Sequence, residues 1–128
     1  MTIPAEILSL VEQLNQELDS VDEQASEWLA IASQLLKRFP NNARLIGLSA
    51  NLGNVLFFVY SFRNRIEGII GRISGITVSS NAIREAGEEL SEIWGRVLEC
   101  KMIVNRSIRV LKDLQWTSRK WPRSKKPF

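Results

Sequence analysis

The strongest constraint on the fold is an apolar repeat that runs without interruption through the first part of the chain. From Pro4 to Phe39 there is no glycine and no further proline, and apolar residues recur at alternating spacings of four and three. The members of this repeat are Ile7, Val11, Leu14, Leu18, Val21, Ala25, Trp28, Ala32, Leu35 and Phe39. Such spacing places apolar side chains on one face of an α-helix and is typical of long helices that pack side by side. The repeat predicts one helix over residues 4–39, which Pro40 ends because proline disfavours helical geometry in the preceding residue.

Two further helices are predicted by repeats of the same kind. The repeat from Leu45 to Ile73 predicts a helix over residues 42–74, and the repeat from Ile83 to Leu114 predicts a helix over residues 81–117. We expect Asn81 or Ser80 to cap the third helix. Beside its main seam the second helix carries another apolar seam, formed by Ile46, Ala50, Gly53, Phe57 and Tyr60. Two adjacent seams predict that the second helix is the central element of the bundle, with neighbours on two sides.

Glycines interrupt the second helix, in contrast to the first. Gly47, Gly53, Gly68 and Gly71 lie inside it. Each costs the helix about 0.5 to 1 kcal/mol relative to alanine, so that tertiary packing has to hold this helix together. We expect close helix packing to explain the glycines at its C-terminal end, including Gly75.

Short connections determine how the three helices are arranged, because they bring consecutive helices side by side and antiparallel. The predicted fold is all-α: an elongated, antiparallel three-helix bundle that runs up, down and up, with heptad-like seams and a basic C-terminal tail. Residues 1–115 form the bundle and residues 116–128 the tail. The competing layout is a globular four-helix bundle in which the first helix breaks near Asp19-Ser20-Val21-Asp22.

Composition excludes several classes of chemistry. The 128 residues include no histidine and one cysteine, which excludes Ser-His-Asp and Cys-His catalysis, the common zinc sites and an internal disulfide. Cys100 lies on the apolar seam of the third helix, where we expect a buried, inert thiol. An acidic cluster in the same helix lacks the histidine partners of bundle metal sites and is interpreted as a solvated face. It consists of Glu85, Glu88, Glu89 and Glu92. We therefore predict a protein that is not an enzyme and binds no cofactor or metal.

Targeting and membrane signals are weak in this sequence. Its first residues contain neither a basic segment nor an apolar one, and no uncharged stretch reaches the roughly 20 residues of a membrane span. We therefore expect a cytoplasmic protein without a transmembrane segment.

Charge is segregated along the chain. Residues 1–36 carry a net charge of −7, residues 37–76 of +5, residues 77–99 of −3 and residues 100–128 of +8, which together give +3. An antiparallel bundle brings the basic segments to one end. We expect a basic pole there that attracts phosphate backbones. Its members are Lys37, Arg38, Arg44, Arg106, Arg109, Lys112, Arg119, Lys120, Arg123, Lys125 and Lys126.

The C-terminal tail adds aromatic residues to this charge. Trp116 and Trp121 alternate with lysine and arginine, an arrangement in which nucleic-acid bases stack on indole rings while phosphates contact the cations. An acidic protein or an anionic membrane surface is the alternative ligand. The remaining alternative is a solubilising tail in which Trp116 completes the core.

An aromatic patch on the second helix is a separate candidate. Phe57, Phe58 and Tyr60 make the helix apolar around most of its circumference, more than two neighbours can cover. We expect self-association through this patch, and hence a homo-oligomer. The alternative is a satisfied core in which Phe58 lies across a neighbouring helix.

In size, helical content and charge the chain is similar to small basic helical accessory subunits of nucleoprotein complexes. Examples are the small subunit of CRISPR effector complexes and the helical partner of retroelement reverse transcriptases. No particular residue carries this similarity, which implies a class of function only. We predict a non-enzymatic accessory subunit that binds the backbone of RNA or single-stranded DNA with low sequence specificity, together with protein partners. The alternative is a protein-protein scaffold or adaptor that oligomerises through its helical faces.

Overall fold

The computed structural model describes residues 3–75 and 78–120, with side chains as far as Trp116. Three helices account for nearly all of these residues: α1 (Ala5–Arg38), α2 (Ala43–Ile73) and α3 (Ser80–Lys120). No strand occurs among them. The main difference from the expected bounds is at the C-terminal end, where α3 continues beyond residue 117 to Lys120.

Local signals set the helix ends. At the end of α1, the Phe39 N–H donates to the Leu35 carbonyl at 2.9 Å, and Pro40 follows. The side chain of Asn42 caps α2 by accepting a hydrogen bond from the Leu45 N–H at 3.1 Å. At the start of α3 it is Ser79 whose hydroxyl accepts from a backbone N–H, that of Ala82 at 3.1 Å. The expected cap at Ser80 or Asn81 is therefore wrong by at least one residue.

A single core joins the helices, and each helix packs against the other two. The buried residues are those of the predicted seams, and many of them are inaccessible to solvent. They include Leu14 and Leu18 of α1, Leu52, Val55 and Val59 of α2, and Leu90, Ile93, Val97 and Leu111 of α3. Because α1 is continuous through residues 19–22, the four-helix layout with a break at that point is wrong.

The second seam of α2 is not covered. Ile46, Phe57 and Tyr60 are 51%, 65% and 66% exposed, whereas Leu52 and Val59 on the main seam are buried. At about 100° per residue the two seams lie on opposite sides of α2, so the expectation of adjacent seams with a neighbour on each is wrong. The physical reason is that α1 and α3 also pack against each other, so both lie on the core side of α2 and reach only its main seam.

By length and composition alone, α2 also passes the criteria for a helix that crosses a membrane. The uncharged segment of α2 is residues 45–62, between Arg44 and Arg63. Core helices of soluble proteins pass the same criteria, so this finding by itself assigns no membrane role.

The glycines of α2 are not sites of close packing. A Cβ atom added at Gly47, Gly53, Gly68 or Gly71 would meet nothing within 4 Å, so the expectation that close packing explains Gly68 and Gly71 is wrong. These residues only lower the helical propensity of α2 within this chain.

We therefore expect Gly68→Ala and Gly71→Ala to stabilise the protein by about 0.5 to 1 kcal/mol each, because alanine restricts the unfolded chain and meets no clash. Chemical denaturation followed by circular dichroism measures the change. Gly75→Ala is the matched control, since Gly75 lies outside the helix and its added Cβ would be in ordinary contact with Val78, 3.5 Å away. Destabilisation by the α2 substitutions would contradict the prediction.

Candidate functional site

Three of the predicted phosphate-binding residues form a row on α3. Arg106, Arg109 and Lys112 are all exposed, and Trp116, which is 61% exposed, follows them in the same helix. Steps of three, three and four residues keep these side chains on one side of a helix. None of the three cations forms an ion pair within the described part of the chain. We call these four residues the α3 row.

A second group of bases surrounds the turn between α1 and α2. Lys37 and Arg38 end α1, and Arg44 lies in the first turn of α2; all three are exposed. The guanidinium of Arg38 lies 5.3 Å from the centroid of the Phe39 ring. We call Lys37, Arg38 and Arg44 the turn group.

The structure separates the turn group from the α3 row. The Lys112 ammonium lies 5.7 Å from the centroid of the Trp28 ring, and Trp28 comes ten residues before Arg38. Ten residues of helix span about 15 Å. Arg106 and Arg109 lie between Lys112 and Lys101, and Lys101 contacts Glu17. The row therefore lies alongside α1 ahead of its C-terminal end, so the bases of the expected pole are spread along the bundle.

The remaining predicted bases are in the C-terminal segment. Arg119 and Lys120 belong to the last turn of α3, so residues 116–120 continue the helix. The predicted contacts of Trp121, Arg123, Lys125 and Lys126 lie outside the described residues.

Other bases are paired with acids across helix interfaces. Arg63 of α2 donates to Asp22 and Asp19 of α1 at 2.8 and 2.7 Å, which links these two helices. The hydrogen bond to Asp22 is the main cause that raises the pKa of Arg63, against a smaller opposing effect of burial. Arg72 contacts Glu89 at 2.7 Å, and Lys101 contacts Glu17 at 3.2 Å. These pairs reduce the positive charge along α2. Arg84 and Arg96 of α3 are exposed as well, but they lie in the glutamate-rich first half of this helix, whereas the α3 row lies in its basic second half.

The carboxylates and the thiol occupy structural positions. Glu89 faces Arg72, as expected for a solvated and ion-paired helix face. Cys100 is buried, as predicted, and its pKa is raised by desolvation and, to a smaller extent, by the charge of Glu99. Thiolate is therefore disfavoured at this position, and a nucleophilic or metal-binding role has no support.

The aromatic patch lies on the surface. Phe57 and Tyr60 are about two thirds exposed, and Phe58 is 44% exposed. The Phe58 ring stacks on the Phe62 ring with 6.1 Å between the ring centroids, and it meets the Phe57 ring edge-on at the same centroid distance.

Ile46, which was not predicted to be exposed, lies on the same face of α2 as Phe57 and Tyr60 and is 51% exposed. Ile46 belongs to the second apolar seam of α2, and the four-three spacing of that seam predicted a contact with a neighbouring helix. Met102 of α3, which is 62% exposed, was not identified at all.

Comparison with known proteins returned no match: no family model, no curated protein and no solved structure is similar to this chain.

Proposed function

We propose that this chain is a non-enzymatic helical-bundle accessory subunit that binds the sugar-phosphate backbone of RNA or single-stranded DNA. The observation that carries the proposal is the α3 row, with its three exposed cations that have no acidic partner within the described residues. Arginine and lysine neutralise phosphates, and the exposed indole of Trp116 offers a surface on which a base stacks. Low sequence specificity follows, because contacts to phosphates carry no direct information on sequence.

The contacts between helices support an up-down-up arrangement in an elongated bundle. Glu17 with Lys101 and Trp28 with Lys112 share one sequence offset, as expected if α1 and α3 run parallel with α2 antiparallel to both. Helices of this length extend over about 45 to 60 Å. In this arrangement the turn group lies beyond the α3 row in the direction of the C-terminal end of α1. The distance from Arg106 to Arg38 along the axis is then about 24 Å.

A span of this length fits a nucleic-acid backbone that follows the bundle. At 3.4 Å per nucleotide of a duplex strand, 24 Å corresponds to about seven nucleotides. The α3 row would bind one part of the strand and the turn group the next, while the C-terminal residues Arg119 to Lys126 extend the basic surface. We propose a cytoplasmic location and protein partners in a larger nucleoprotein complex.

Fluorescence anisotropy with labelled single-stranded and double-stranded RNA and DNA tests this function. We expect salt-dependent binding to single strands with quenching of tryptophan fluorescence. The triple variant Arg106→Gln/Arg109→Gln/Lys112→Gln is expected to weaken binding at low salt and to lower the slope of log K against log salt by about one for each lost contact.

The control variant is Arg65→Gln/Arg84→Gln/Arg96→Gln, which removes the same charge from exposed positions outside the row. Equal losses in both variants would show that net charge alone attracts the nucleic acid. No binding at low salt would overturn the function. Deletion of residues 121–128, which leaves α3 complete, measures how much the tail contributes.

The second candidate is a scaffold or adaptor that binds proteins through its helical faces. The exposed apolar face of α2 favours it, as does the acidic surface of α1, where Glu12, Glu23 and Glu27 are exposed. Protein association that is insensitive to salt, without retention of nucleic acid, would favour this candidate over the first.

A further inference from the structure

One face of α2 has the pattern of a helix-helix interface but no neighbour within the chain. It consists of Ile46, Ala50, Gly53, Phe57 and Tyr60, which we call the outer stripe. Their spacings of four and three are the same as those of the buried seams. At about 100° per residue the outer stripe lies opposite the core seam of α2. No charged residue occurs between Arg44 and Arg63, so a partner meets no charge along this segment.

The outer stripe exposes a large apolar area. Phe57, Tyr60 and Ile46 are 65%, 66% and 51% exposed, and Phe58 at 44% adds to its edge. Because an aromatic side chain presents about 150 to 250 Å², these residues together expose on the order of 400 Å². An apolar area of this size is comparable to the largest apolar patch of a typical monomer, and such patches are often functional.

The order of side-chain sizes in the outer stripe favours one occupant. When two copies of α2 pack antiparallel about a two-fold axis at Gly53, Phe57 of one copy lies opposite Ser49 and next to Ala50 of the other. Tyr60 then lies opposite Ile46 of the second copy, and the two Gly53 residues face each other. Each large side chain therefore meets a smaller one. Parallel, in-register packing would instead place Phe57 against Phe57 and leave space between the two Ala50 residues.

The open space around Gly53 is a second, independent observation. A Cβ atom at this position would meet nothing within 4 Å, so no contact within the chain requires glycine there. Glycine in a helix interior nevertheless costs about 1 kcal/mol relative to alanine. At the axis of an antiparallel helix pair, the missing side chain lets the two backbones approach closely.

We infer that a second copy of this chain occupies the outer stripe and forms an antiparallel, two-fold symmetric dimer through α2. Both copies use the same surface, as a two-fold interface requires. The exposed apolar residues of two copies supply on the order of 800 Å², below the roughly 1,600 Å² of a standard stable interface. The dimer is therefore weak, and the fraction of dimer depends on protein concentration in the micromolar range. It goes beyond the proposed function, because neither the α3 row nor nucleic acid takes part in it.

Sedimentation velocity over a micromolar concentration series, without nucleic acid, tests the dimer. We expect the wild-type protein to shift from monomer to dimer, and the variant Phe57→Gln/Tyr60→Gln to remain monomeric at every concentration with unchanged helix content. The control variant Leu98→Gln/Met102→Gln removes exposed apolar residues of α3, 39% and 62% exposed, and is expected to dimerise as the wild type does.

Disulfide trapping tests the two-fold arrangement. We expect Ala50→Cys and Phe57→Cys proteins to form a cross-linked dimer when they are mixed and oxidised, and neither to do so alone. Cross-linking of Ala50→Cys alone would indicate parallel packing and overturn the proposed arrangement. A wild-type protein that stays monomeric to high micromolar concentration would overturn the dimer itself. The dimer would also be overturned if the protein is monomeric and binds phospholipid vesicles through the outer stripe, as measured by flotation. These results do not depend on whether the protein binds nucleic acid. The dimer and the proposed function can therefore be overturned independently of each other.

Discussion

Replacement of Leu90 by alanine is expected to lower the free energy of unfolding by about 2 to 5 kcal/mol. Leu90 lies in α3 with its side chain inaccessible to solvent, within the core that all three helices share. The substitution removes buried apolar area and leaves a cavity that the surrounding helices fill only in part. Because domains of this size are stable by about 5 to 15 kcal/mol in total, this is a large fraction. Urea denaturation followed by circular dichroism at 222 nm measures it.

The matched control is Leu98→Ala, the same change in the same helix at a position that is 39% exposed. We expect a loss of less than about 1 kcal/mol there, because part of the side chain is already in contact with water. Comparable losses at the two positions would contradict the assignment of Leu90 to the core.

The variant Ser20→Pro is expected to destabilise the protein by about 3 kcal/mol or more. Ser20 is exposed and lies in the interior of α1, where its backbone N–H belongs to the helical ladder. Proline removes that hydrogen bond, and its ring clashes with the carbonyl of the residue four positions earlier. The exposed side chain of Ser20 contributes little to packing, so the measured loss reports the backbone alone.

Ser20→Ala is the control, and we expect it to leave stability unchanged or to raise it by a few tenths of a kcal/mol, because alanine favours helix. Thermal and chemical denaturation of both variants provide the comparison. If Ser20→Pro were as stable as Ser20→Ala, the helix would be interrupted near residues 19–22, as the four-helix alternative requires.

The predictable part of the fold is the part encoded by short-range spacing. The seams through Leu14, Leu52 and Leu90 identified the three helices and the buried faces of α1 and α3, since a period near 3.6 residues needs only the neighbouring turns. The turn at Pro40 and the cap at Asn42 are equally local.

The candidate site was predicted less completely, because position along the bundle depends on long-range packing. The six bases of the expected pole whose side chains the structure describes are all exposed. The contact of Lys112 with Trp28, however, places the α3 row at a distance from the turn group along α1. Charge blocks in a sequence do not specify how far one helix is displaced along another. That displacement is set by how the side chains of the core interlock.

By itself, the sequence determined that the described residues form three helices, where these helices begin and end to within a few residues, and that the chain has no histidine for histidine-dependent chemistry. The tertiary structure alone decided which of the two seams of α2 is buried. Both seams have the same period, and only the positions of α1 and α3 on one side of α2 distinguish them. The tertiary structure also showed that Gly53 and its neighbours in α2 have open space where contacts were expected. A periodic pattern defines a face of a helix, but the partner of that face is a property of the assembled chain.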